Sequence, residues 1–242
     1  AILVSVLMAL SLSLRKTVRW FWWSFPLSIV GSVAFAMALD VITEALDGTG
    51  QEVMNASLQG LVYLITVRII WLCAGFSDTN QRGRSLTFAM AAAVVCAMVR
   101  EGSEIFIYIS GFSASTDHRT AVFAGSAIGA GIGLSVGVLV FSGLRALSGG
   151  VARAFCLLMI GFIGAGMVSQ SMLLLEQADW FSTGKVVWDS SQIISEKSVS
   201  GQLLYAVFGY ESTPGSIQLV VYLVSIVTSL AAYKISISRA YN

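Results

Sequence analysis

Long apolar runs, each near the length needed to cross a bilayer, limit what this chain can fold into. A spanning helix needs about 20 mostly apolar residues. Six stretches qualify: 21–39, 57–76, 86–110, 121–144, 154–175 and 216–233. A seventh, 1–14, is partial and is stopped by Arg15, Lys16 and Arg19. The runs are unbroken and do not alternate, so they read as helices and not as strands. The expected fold class is therefore all-α: a polytopic membrane protein with seven transmembrane helices, one domain over 1–242. Composition agrees. Charged residues make up only 11% of the 242, against about 25% in a soluble domain. A net charge of +1 leaves no basic surplus to hold nucleic acid. Three cysteines and one histidine exclude a disulfide framework and a cysteine/histidine zinc site.

The first run is short. Fourteen residues cover about 21 Å of a hydrocarbon core about 30 Å thick. No initiating methionine is present, and the positive charges follow the apolar stretch instead of preceding it, which is unlike a signal peptide. The expectation is that the sequence begins inside a helix, with roughly one to two turns missing.

Lysine and arginine in alternate loops set the orientation. One set of loops holds nine of them, including Arg15, Lys16, Arg82, Arg84 and Arg153. The other set holds Arg119, Lys185 and Lys197. The first set is therefore expected in the cytoplasm, with the C-terminus inside and the N-terminus outside. The acidic residues run the other way. Asp78 alone falls inside, and ten fall outside, among them Glu52, Asp117, Glu176 and Glu211. Either acidic residues are simply tolerated there, or they form an outer funnel that concentrates cations. In the second reading Asp117, His118 and Glu52 are its candidate contacts, although a lone loop histidine such as His118 is usually just solvated. The longest loop, 176–215, is rich in Trp, Phe, Ile and Leu. It is expected to lie on the membrane surface or to cap the bundle.

The fourth run holds the one cluster that a lipid-facing helix does not explain: Arg100-Glu101-Gly102-Ser103-Glu104. A charge at the bilayer centre costs at least ~2.5 kcal/mol. Helical spacing puts Arg100 at i,i+4 and Glu101 at i,i+3 from Glu104, so Glu104 has both within reach. Gly102 leaves room for another backbone or an ion. Two carboxylates without thiol or imidazole make a hard oxygen site, suited to Mg, Ca, Mn or ferric iron. The other reading is an ion-pair network that fixes helix packing. Arg68, in the third run, either pairs with Glu101 or Glu104 across the bundle or bonds backbone carbonyls. Gly125, Gly129, Gly133 and Gly137 read as a small-residue ridge for close helix packing.

The arginine-glutamate-x-x-glutamate motif, the glycine-rich fifth run, the stretch GAGMVSQSMLLLEQADW and the segment GQLLYAVFGYESTPGSIQLVVYLV together carry a resemblance over essentially the whole chain. The sequence resembles the high-affinity iron permease family, the oxidase-dependent iron transporters of fungi and bacteria. That family has a second such motif in its first span, and Ala1-Ile2-Leu3-Val4 looks like the residues directly after it. Two three-span units of opposite orientation would then form a 3+3 inverted repeat followed by a final helix. The family also carries acidic residues at the start of the third span. Glu52 takes one such place, and Gln59 stands uncharged.

The resemblance implies a permease that moves iron, as Fe3+, across the plasma (inner) membrane into the cytoplasm. Glu101 and Glu104 would bind the ion, with Arg100 holding them and balancing their charge. It implies no cofactor, with iron as cargo, and no enzymatic activity. The implied partners are a ferroxidase or a periplasmic iron-delivery protein, besides membrane lipids, and no nucleic acid. A carrier or exchanger for another hard divalent cation, Mn2+ or Mg2+, is the alternative.

Overall fold

The computed structural model describes residues 1–74, 80–113, 119–182 and 184–241. Among them the chain forms α1 (Ile2–Ser13), α2 (Arg19–Ala45), α3 (Gly50–Ala74), α4 (Asn80–Ser113), α5 (Arg119–Ala146), α6 (Gly149–Gln177), α7 (Val199–Phe208) and α8 (Ser216–Tyr241). The described residues contain no strand beyond one isolated antiparallel bridge, Val186 to Gly215.

Each apolar run is a helix, and most helices extend past the run. Five of them, α2, α3, α5, α6 and α8, are long and apolar enough to cross a membrane. Seven spans were expected, and the two others depart for physical reasons. The helix α1 has 12 residues, about 18 Å of rise. The helix α4 has 34 residues, about 51 Å, but it carries Arg84, Arg100, Glu101 and Glu104 among its apolar positions. The short helix α7, inside the 176–215 stretch, was not anticipated.

The centre of the bundle is α3 against α6, with α4 flanking α3 and α1 flanking α6. The helix α2 packs on α4, α5 packs on α1, and α8 closes against α6 and α3. Leu7, Leu10, Ile69, Met90 and Ile160 are fully buried where these helices meet. Outward faces of α2, α5 and α8 present Trp23, Met37, Ile128, Leu139 and Val227. Such faces match hydrocarbon and not water.

Small residues set the closest contacts. A side chain at Gly164 would strike Thr66 Oγ1 at 2.5 Å, so glycine is what brings α6 onto α3. On the α2–α4 seam, Gly102 faces Ser32, and Gly31 faces Val99. The buried Ser24, Ser28 and Ser32 donate to the carbonyls of Trp20, Ser24 and Ser28 at 2.7–2.8 Å. Ser32 also reaches Met98 O at 3.1 Å. The seam is therefore polar yet satisfied within itself. The glycine ridge of α5 is different. Gly125, Gly129 and Gly133 face open space, and only Gly137 packs, against Ser5 and Ala1. The expected close-packing ridge is one contact, because α1 meets only one end of α5.

The ends of the bundle differ in charge. Lys16, Arg82 and Arg153 gather around Cys73 at one end, where Arg82 bonds Ser236 Oγ at 3.4 Å and Trp71 O at 3.5 Å. Glu52, Glu176, Glu196 and Glu211 belong to the other. There the chain after α6 is knitted into a lid-like cap. Val187 N donates to Pro214 O at 3.0 Å, Ser190 N to Ser212 O at 2.9 Å and Ser216 N to Lys185 O at 3.0 Å. Ser198 caps α7 by accepting from Gly201 N at 3.0 Å. Gly209 ends it with φ 65°, in the left-handed region. A side chain at Gly209 would also strike Gly166 Cα at 2.3 Å, so these two glycines seat α7 on α6.

Gly164→Val is expected to lower the thermal midpoint of the detergent-solubilised protein, by an overpacking cost of about 1–3 kcal/mol. Gly129→Val, facing open space, is expected to leave it unchanged. Equal effects at both positions would contradict the packing described.

Candidate functional site

The site is built on α4, whose 3.6-residue period stacks Arg100, Glu101 and Glu104 on neighbouring positions. The Arg100 guanidinium touches both carboxylates. Nη1 pairs with Glu101 Oε1, and Nη2 lies 3.2 Å from Glu104 Oε1. The side chains are graded in exposure, 16% for Arg100, 27% for Glu104 and 59% for Glu101. The arginine is thus the enclosed centre, and Glu101 is the open edge. Ser103 is buried and donates to Arg100 O at 2.8 Å. Gly102 serves the approach of Ser32 from α2 and does not open a space for an ion.

The helix α3 completes the site from across the bundle. Asn55 Nδ2 donates to Glu104 Oε1 at 3.2 Å. Glu104 Oε1 therefore receives two donors, one from its own helix and one from α3. The remaining polar atoms are less well matched. Glu52 Oε2, Asn55 Oδ1, Gln59 Oε1 and Arg100 Nε are buried without a hydrogen-bond partner. Unmatched buried polar atoms are costly in a protein interior.

The other sequence-predicted residues fall elsewhere. Arg68 does not join the carboxylates. Its Nη2 donates to Ser85 Oγ at 3.3 Å, and it lines a groove with Leu64, Val67, Trp71, Ala232 and Ile235. It lies thirteen residues along α3 from Asn55, about 20 Å at helical rise, which is too far to reach Glu104. Glu52 stands on the first turn of α3, three residues from Asn55. Asp117 and His118 lie outside the described residues.

The cap approaches the same site. Tyr205 of α7 is within electrostatic reach of Arg100, Glu211, Glu101 and Glu104. Burial pushes its hydroxyl pKa up, against the pull of Arg100. Glu196 Oε1 accepts from Ser212 Oγ at 2.6 Å, and Gln218 Nε2 donates to Glu211 Oε2 at 2.8 Å. Among the described residues no three His, Cys, Asp or Glu side chains converge. A cation here would meet two carboxylates and neutral oxygens, a hard donor set.

A family model for the iron permease FTR1 family matches residues 1–238. The chain belongs to that family. It is 22% identical over 239 residues to the ferrous iron permease EfeU of Escherichia coli O157:H7, covering 91% of this chain and 86% of the relative. It is 24% identical over 245 residues to the ferrous iron permease EfeU of Yersinia pestis, covering 91% and 84%. No solved structure matches the chain. The relatives are named as permeases and not as enzymes, and family membership agrees with the apolar helices in making this a multi-pass membrane protein.

Sequence reasoning did not single out Asn55 or Tyr205, and it noted Gln59 only for its missing charge. A signal was present for the α3 pair. Glu52, Asn55 and Gln59 stand at i, i+3 and i+7, one polar stripe in a helix whose other core-facing positions are apolar apart from Thr66. Tyr205 had none, because its place is set by the packing of α7 on α6.

Burial pushes the Glu211 carboxyl pKa above its usual range, opposed by the Gln218 hydrogen bond and reinforced by the nearby Glu196 charge. A raised carboxyl contributes stability below its unfolded pKa and loses it as pH rises through the higher folded value. Glu211→Gln keeps an oxygen for Gln218 and removes the charge. It is expected to slow protease cleavage of the cap at pH 7, with the difference from wild type shrinking toward pH 4. An equal difference at both values would contradict the assigned cause.

Proposed function

We propose that this permease-family chain moves iron into the cytoplasm, with the Glu101 and Glu104 carboxylates as the ion's ligands. The observation that carries the reading is the single guanidinium shared by two carboxylates inside a membrane-protein bundle. One arginine cannot neutralise both, so the pair has a standing attraction for a cation. Iron entering beside Glu101, the exposed edge, would displace the Arg100 Nη1 contact first. Binding to Glu104 would then release Nη2. Arg100 balances the charge while the site is empty and swings aside when it fills.

The direction follows the charged ends. The acidic end, with Glu52, Glu196 and Glu211, is the proposed outer face. The basic end, with Lys16, Arg82 and Arg153, is the proposed cytoplasmic face of a plasma (inner) membrane. The whole chain is proposed as one permease domain of seven spans, with α4 crossing, and α1 forming part of a crossing, beside the five apolar helices. The packing supports an inverted repeat of α1–α3 and α4–α6. Exchanging α1 with α4, α2 with α5 and α3 with α6 turns α2-on-α4 into α5-on-α1 and α4-on-α3 into α1-on-α6, and all four contacts occur. The cargo needs no cofactor. Ions would be delivered at the acidic face by a ferroxidase or an iron-binding partner.

Hard oxygen donors suit Fe3+, the form expected from the sequence. A second reading, Fe2+, is favoured by the relatives' names. Mn2+ and Mg2+ are the competing cations for the same donor chemistry.

Radioactive iron uptake by iron-starved cells tests the reading. Glu101→Ala and Glu104→Ala are each expected to lower uptake at least tenfold at matched membrane abundance, with a hundredfold excess of Mn2+ or Mg2+ failing to compete. Wild-type uptake in both variants would make the cluster a packing device. Uptake suppressed by Mn2+ or Mg2+ as strongly as by unlabelled iron would assign a broader divalent carrier.

A further inference from the structure

The helix α3 presents buried oxygens that no described residue uses. Asn55 is 2% exposed and Gln59 is 1% exposed, and neither carboxamide oxygen has a partner. A buried amide oxygen left unmatched costs about 1–3 kcal/mol, and an apolar side chain of similar size at either position would avoid that. These residues are not stranded at random. They lie four apart on one face of α3, with Glu52 three residues before Asn55. Along the helix this stripe covers about 10 Å from Glu52 to Gln59. Asn55 is fixed against the site by its Nδ2 bond to Glu104 Oε1. With Nδ2 spent on the carboxylate, its Oδ1 is left as the free acceptor. Because α3 and α4 are joined in sequence and run antiparallel, the next turn of α3 after Asn55 stands level with residues one turn before Glu104. That is the level of Arg100, whose Nε is also buried without a partner.

We propose that Asn55 and Gln59 are neutral oxygen donors on the ion path, and that they tune it to a divalent cation. The inference rests on the iron-permease reading above and specifies the charge of its cargo. An amide carbonyl gives a hard cation an oxygen without adding negative charge. A carboxylate at the same place would add one full charge in a medium where charge interactions are strong. On the α3 side, below Glu52, the path thus offers coordination without further charge. Asn55 has a second task as a positioning residue, since its amide hydrogen holds Glu104 Oε1 in place. Gln59 makes no such bond and would act on the ion alone.

The test is transport by the protein in proteoliposomes, with Fe2+ kept reduced by ascorbate and with Ga3+ and Mn2+ as competitors. Asn55→Leu and Gln59→Leu are expected to raise the KM for Fe2+ at least tenfold while thermal midpoint and abundance hold. Gln59→Glu, nearly isosteric and still an oxygen donor, is expected to become at least tenfold more sensitive to Ga3+ and not to Mn2+. A wild-type KM in both leucine variants overturns the proposal. So does unchanged Ga3+ sensitivity in Gln59→Glu, which decides the matter if the leucine variants do not accumulate. Glu104→Ala separates the two levels of inference. Transport lost there but intact in the leucine variants removes only the amide assignment. Transport intact in all of them removes the carboxylate pathway itself.

Discussion

A guanidinium shared between two carboxylates, inside a bundle made of apolar helices, is the constraint around which this molecule is arranged. Three charges in a hydrophobic helix are tolerated only where protein or a water-filled cavity, and not lipid, surrounds them. The structure meets that demand from two sides. From α2, a stripe of serines bonded to its own backbone lets the helix come up to Gly102 without leaving polar groups unmatched. From α3, Asn55 donates to Glu104, and a row of oxygens lies alongside. The central α3–α6 contact, made close by Gly164, holds that row in register.

The same arrangement explains why the cluster reads better as a site than as a packing device. A structural ion pair is expected to satisfy its members. Here Glu101 remains largely open, one arginine serves two acids, and Arg100 Nε and three acceptor oxygens nearby lack partners. Such an imbalance is a place where a cation belongs in the proposed mechanism. The cap beyond α6 carries Tyr205, whose hydroxyl feels the charges of Arg100, Glu101 and Glu104, and its Glu196 and Glu211 are held by Ser212 and Gln218. The cap is therefore part of the site's surroundings and not a free linker.

Much of this was legible in residues alone. Apolar run length located six helices, because a bilayer imposes its thickness on sequence more strictly than a soluble core does. The i,i+4 spacing of Arg100 and Glu104 gave one contact later found, whereas Arg100 also pairs with Glu101, its neighbour in sequence. What was not legible depends on neighbours. Arg68 was a candidate partner by charge, but its distance along α3 sends it to Ser85. The glycines of α5 spell a packing ridge, yet which helix meets them is a property of the whole bundle, and only Gly137 is met. The short helix α7 is set by Ser198 and Gly209 at its ends, signals that are weak beside the surrounding apolar residues. Asn55 became meaningful only when Glu104 was found opposite it.

The most direct test of the central claim is iron X-ray absorption on the purified protein loaded with one equivalent of iron. The account predicts a first shell of oxygen neighbours with no sulfur contribution, abolished in a Glu101→Ala/Glu104→Ala double variant that keeps its thermal midpoint. An unchanged iron spectrum in the double variant, or a sulfur shell from Cys73, Cys96 or Cys156, would contradict it.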